Sequence, residues 1–124
     1  MLGKIILWVS GLIFTSYGVA CLLSPELPAG YAGLTITNGD AYAEMGAMYG
    51  GLQTGFGLFC ILAAIRPELH RAGLLILVFV IGALAVSRLF FAFTTTDPVG
   101  VYTWGAMGYE FTTALLSAVA LRRN

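Results

Sequence analysis

Three ionisable side chains stand inside otherwise apolar runs: Glu44 in "AYAEMGAMYGG", Arg88 in "ALAVSRLFFAF" and Glu110 in "WGAMGYEFTTALL". Two carboxylates and a guanidinium support two kinds of chemistry. An arginine fork can hold one carboxylate through paired hydrogen bonds and reach towards a second, tying three segments together. Two carboxyls in different surroundings can instead act as acid and base around a substrate. Tyr49, Gln53 and Tyr109 add neutral hydrogen-bonding groups in the same stretches. Other chemistry finds little support. The two cysteines, Cys21 and Cys60, form no C-x-x-C, and the lone histidine, His70, reads as a solvated loop residue. No metal site and no cofactor are expected. Gly46, Gly50, Gly51 and Gly55 lie inside an apolar run, not after a strand, so they make no nucleotide-binding loop.

The elements that must position these residues follow from composition. The chain is 59% hydrophobic and only 10% charged, against about 25% charged residues in a soluble domain. Lipid is therefore the expected solvent. Four apolar runs meet the need for about 20 residues of membrane-crossing helix, at about 3–23, 41–65, 72–93 and 101–121. The expected fold is all-α: one membrane domain over 1–124, a bundle of four transmembrane helices. Punctuation agrees. "SPELP" (24–28) ends the first run, because Pro25 and Pro28 lack a backbone donor. "NGD" (38–40) turns the chain, with Asp40 as the expected cap of the second run. "IRPELHR" (65–71) separates the second and third. "TDP" (96–98) offers Asp97 as a cap and Pro98 as a first helical residue.

Charge sets orientation. The six cations are Lys4, Arg66, Arg71, Arg88, Arg122 and Arg123. All but Arg88 fall at the termini or in the second loop, so both termini and that loop are expected in the cytoplasm. Arg88 then lies roughly 8 Å below the outer boundary, Glu44 roughly 5 Å and Glu110 roughly 13 Å. A charge so placed normally faces the bundle interior and has a partner. The expected arrangement is a Glu44–Arg88–Glu110 cluster in the outer half, and it reads equally as a fastener or as a binding site.

Packing signals surround the cluster. Gly46-x-x-x-Gly50 and Gly51-x-x-x-Gly55 let helices approach closely. At uninterrupted helical spacing, Glu44, Ala47, Gly51 and Gly55 share one face, and Tyr42, Gly46, Tyr49 and Gln53 share another. On the fourth run Thr103, Ala106, Glu110, Thr113, Ala114 and Ser117 form a small-and-polar stripe. A second run marked on two faces is central, or contacts a second protomer.

"AEMGAMYGGLQTGFGLF" (43–59), "SRLF" (87–90) and the Glu of the last run resemble the bacterial domain-of-unknown-function 4345 family of small four-helix inner-membrane proteins. The matching positions are Glu44, Tyr49-Gly50-Gly51, Gly82, Arg88, Leu89 and Glu110. The family pattern usually has an arginine two residues after the first Glu, and here that position is Gly46. Its absence favours a bound cation or amine, or a protonated glutamate, at the cluster. The resemblance implies the inner membrane as location and assigns no activity. The topology is more loosely similar to DoxX-type four-helix membrane proteins.

Three functions remain open at this point. The first is a non-enzymatic membrane module: an accessory subunit of a larger membrane complex, a homo-oligomer, or a binder of a small amphipathic ligand through the polar cluster. The second is a membrane-embedded enzyme on a lipid-soluble substrate, with Glu44 and Glu110 as acid and base. The third is an oligomeric transporter or channel, which the lack of an internal repeat and of a Pro-broken span disfavours. The sequence reads against an enzyme. The lipid bilayer is an expected partner and nucleic acid is not, since the net charge is +0.

Overall fold

The computed structural model describes residues 1–123, and these form helices with no strand among them. In chain order they are α1 (Leu2–Leu23), α2 (Glu26–Ala32), α3 (Gly39–Ile65), α4 (Pro67–Thr94) and α5 (Val101–Arg123). Among the described residues α1, α3 and α4 are long and apolar enough to cross a membrane. With 23 residues α5 is also long enough, but Glu110 and its threonines and serine make it less apolar. Large apolar side chains cover the outside: Phe79, Val86, Phe90, Phe91 and Phe93 are each at least 60% exposed. A surface of that kind suits lipid and not water.

Several ends differ from the punctuation read in the sequence. Asn38, not Asp40, caps α3: its side chain accepts a hydrogen bond from the Ala41 N–H at 2.8 Å. Gly39 already starts the helix, which leaves Asp40 in the first turn. "SPELP" ends α1, but Pro25 then sits at the N-cap of α2, a helix absent from the sequence reading. That short helix closes at Gly33, whose φ of +74° is the left-handed conformation that glycine adopts without strain. Between α3 and α4 the break is one residue. Arg66 is extended, as a residue before proline tends to be, and Pro67 opens α4 directly. His70 is therefore not in a loop but half-buried in the early turns of α4. In the last connection neither Asp97 nor Pro98 starts α5. The helix begins at Val101, where Trp104 donates from Nε1 to the Val99 carbonyl at 3.2 Å.

The chain divides into two compact units. The first contains Trp8–Leu62, that is, most of α1, all of α2 and most of α3. Here α1 and α3 run antiparallel along a seam of small residues. Leu22 meets Gly50, Gly18 meets Thr54, Thr15 and Gly11 meet Gly57, and Gly11 also meets Ile61. The positions 11, 15, 18, 22 and 50, 54, 57, 61 follow the same helical spacing, so each set lies on one stripe. Phe14 and Phe56 add an edge-to-face contact within this unit, centroids 5.0 Å apart.

α3 is not a uniform helix. Over Gly46–Gly51 it widens into a π turn, where the Leu52 N–H donates to the Ala47 carbonyl five residues back. An extra residue in one turn rotates everything after it relative to everything before. The two faces drawn at uninterrupted spacing therefore do not persist through 46–51. Of the glycines expected to pack helices, Gly50 presses on Leu22. A Cβ on Gly46 or Gly51 meets at most one atom, at 4.0 Å, and one on Gly55 meets nothing within 4 Å.

The second unit contains Met1–Leu7 and the chain from Ala63 onward. α4 and α5 are antiparallel here. The close approach of Gly82 to Ala114 and the pairing of Arg88 with Glu110 run in opposite chain directions. The core is Leu74, Leu77, Ile81 and Ala85 of α4 against Met107, Thr113, Ser117 and Ala120 of α5, all buried. Leu7 of α1 and Ala63 of α3 close on Gly73 of α4. α4 also carries a π turn, over Leu77–Ile81.

Candidate functional site

The site is built on the second unit, where α4 and α5 face each other. Gly82 and Ala85 leave the α4 backbone bare over one turn, and a Cβ on Gly82 would lie 3.8 Å from the Ala114 Cβ. Small residues at that crossing bring the two helices close. One to two turns further along α4, Arg88 extends across to α5. Its Nε donates to Glu110 Oε1 at 2.9 Å and its Nη2 donates to Glu110 Oε2 at 3.0 Å. Both carboxylate oxygens are thus engaged by one planar guanidinium, the strongest geometry an arginine can offer a carboxylate.

Burial is unequal. The Glu110 side chain is 6% exposed and that of Arg88 is 25% exposed. The carboxylate is the enclosed partner, and the arginine lies at the edge of the interior. An enclosed carboxylate without its cation would be costly in a low-dielectric setting. The two opposite charges offset each other, and the guanidinium is the more exposed of the two.

The other residues singled out in the sequence are spread over both units. Tyr109 on α5 is half-buried in the second unit. Tyr49 and Gln53 on α3 are half-buried in the first, with Tyr49 inside the π turn. Glu44 also belongs to the first unit and its side chain is exposed. What the structure brings together within one unit is Arg88 with Glu110.

Glu110, Thr113 and Ser117, all on the small-and-polar stripe, are buried. Ser117 is fully enclosed, and its hydroxyl has no hydrogen-bond partner among the described residues. The Thr15 hydroxyl of α1 is likewise enclosed and unpaired, where α1 abuts Gly57. Thr15 was missed in the sequence, where a threonine in an apolar run looks like any neutral lining residue. The signal available was its spacing of four from Gly11 and three from Gly18.

No curated protein and no solved structure matches the chain. A family model described as a domain of unknown function, DUF4345, does match, over residues 2–121. That span takes in the Tyr49-Gly50-Gly51 turn, both members of the Arg88–Glu110 pair and nearly all of the five helices, and the chain belongs to that family.

Proposed function

We propose that this protein is a four-span module of the bacterial inner membrane, with both termini in the cytoplasm. Its Arg88–Glu110 pair, near the outer end of the third and fourth spans, serves a non-enzymatic role. It holds a small amphipathic ligand or docks the chain as an accessory subunit of a membrane assembly. The observation that carries this reading is the bidentate pair itself, with Glu110 enclosed and Arg88 a quarter exposed. A carboxylate with both oxygens held by a guanidinium is poorly placed to take up and release protons, so the enzyme reading ranks lower. The fourth span is supported by where α5 keeps its polar groups. Glu110, Thr113 and Ser117 are buried, while Leu115, Leu116 and Val119 are exposed.

Purification from native membranes in mild detergent tests the role. The expected result is a co-purifying membrane protein or a retained amphipathic molecule, lost or reduced at least severalfold in Arg88→Lys. A chain that purifies alone and carries nothing sensitive to Arg88 overturns the reading.

Orientation has its own measurement. Thr37→Cys and Thr95→Cys are expected to react with an impermeant thiol reagent from the periplasmic side, and Arg66→Cys is not. All three positions are exposed, and the native Cys21 and Cys60 are buried, so background labelling is low. Periplasmic labelling at position 66 would invert the topology.

A further inference from the structure

The second unit holds another charged feature, far from Arg88 along α4. Arg71 and Arg88 are 17 residues apart (88 − 71), roughly 25 Å of helix. Around Arg71 lies an open pocket of about 390 Å³, lined by Lys4, Ala64, Ile65, Pro67, His70 and Arg71. Three segments build it: the start of α1, the end of α3 and the first turns of α4. The same segments pack closely against one another. A Cβ on Gly3 would lie 2.8 Å from His70 Nε2 and 2.9 Å from Leu74 Cδ1, and one on Gly73 would lie 2.6 Å from the Ala63 Cβ. The three segments are therefore close-packed beside the pocket.

Its chemistry is two-sided. Ala64, Ile65 and Pro67 give an apolar wall, and Lys4, Arg71 and the His70 imidazole give a basic rim. Lys4 and Arg71 are exposed, and among the described residues neither pairs with a carboxylate. Glu68, one turn from Arg71, is held instead by Arg66, whose Nε and Nη2 donate to its two oxygens at 3.1 and 3.2 Å. The rim thus keeps its positive charge. It stands where three apolar helices begin or end, the level at which headgroups lie against a membrane protein. Basic pockets between helix ends recur as headgroup sites on the side facing anionic lipid.

We propose that this pocket binds a phosphate-bearing anion with an apolar portion, supplied by an anionic phospholipid of the adjoining leaflet. Lys4 and Arg71 neutralise the phosphate, His70 offers it a hydrogen bond, and the Ala64–Ile65–Pro67 wall receives the glycerol and upper acyl chain. The site stands independently of the role assigned to Arg88.

Native mass spectrometry of the full chain in detergent, titrated with phosphatidylglycerol or phosphatidylcholine, reads the site directly. Phosphatidylglycerol is expected to bind more tightly. Lys4→Gln/Arg71→Gln is expected to weaken it about 30-fold, from roughly one headgroup attraction lost per cation, and to leave phosphatidylcholine unchanged. Arg122→Gln/Arg123→Gln, which removes equal charge outside the pocket, is expected to change phosphatidylglycerol binding by less than about threefold. Because Lys4 and Arg71 are exposed, the double variant is expected to melt like wild type without added lipid. Equal binding of the two lipids, or equal losses in the two double variants, overturns the proposal. Inorganic phosphate supplies the other arm. If it displaces phosphatidylglycerol at low millimolar concentration, with the same dependence on Lys4 and Arg71, the site belongs to a soluble phosphate compound and the lipid source is overturned.

Discussion

Arg88→Leu is expected to melt far below wild type in detergent, with a stability loss of about 3–5 kcal/mol. The substitution leaves Glu110 enclosed, with two oxygens that had accepted from Nε and Nη2 and now accept from neither. In a membrane this loss is not offset by hydrophobic gain, because lipid tails are as apolar as leucine and helices associate through packing and hydrogen bonds. Removing both partners should cost less than removing one. Arg88→Leu/Glu110→Gln is thus expected to recover part of the loss, since no charge is left stranded. Arg88→Lys should fall between, because a point charge replaces a fork. Glu44→Gln is expected to shift stability by no more than about 0.5 kcal/mol, as for an exposed position. A wild-type melting curve for Arg88→Leu would mean that the pair contributes nothing to the fold.

Arg88 and Glu110 could be noticed in the sequence because a charge in an apolar run has few explanations. That Arg88 holds Glu110 through both carboxylate oxygens was not legible, since spacing alone does not fix which carboxylate a guanidinium reaches. The helical character was legible because long apolar runs with proline and glycine at their ends leave few alternatives. The ends themselves were less so. Asn38 and Asp40 are both good caps, and one residue of register decides between them. The link at 65–71 looked like a loop because its residues are polar, yet Pro67 starts a helix as readily as it ends one. The interior of α3 was least legible. "GAMYGG" gives no sign in hydropathy that the turn widens, and the face assignments downstream of it rotate with that one extra residue.

That rotation decides which glycines matter, and the expected contrast is large. Gly18→Leu is expected to cost at least about 3 kcal/mol, the upper part of the usual range for overpacking. A Cβ at Gly18 would lie 2.5 Å from the Thr54 backbone nitrogen and 2.9 Å from its Cα, so no rotamer change relieves the clash. Backbone must move, and Thr54 is itself held by a 2.7 Å hydrogen bond from its hydroxyl to the Gly50 carbonyl. Gly57→Leu should behave alike, since a Cβ there runs into the Thr15 backbone nitrogen and lies 2.9 Å from the Gly11 carbonyl oxygen. Gly55, only two residues away and part of a Gly-x-x-x-Gly pair, is expected to respond with the opposite sign. A Cβ there meets open space, and Gly→Ala in a helix interior gains up to about 1 kcal/mol. Thermal melts of the three variants in one detergent measure the difference. Gly55→Ala destabilising as much as Gly18→Leu would place the α1–α3 seam on the wrong stripe of α3, and with it the π turn that sets the stripe.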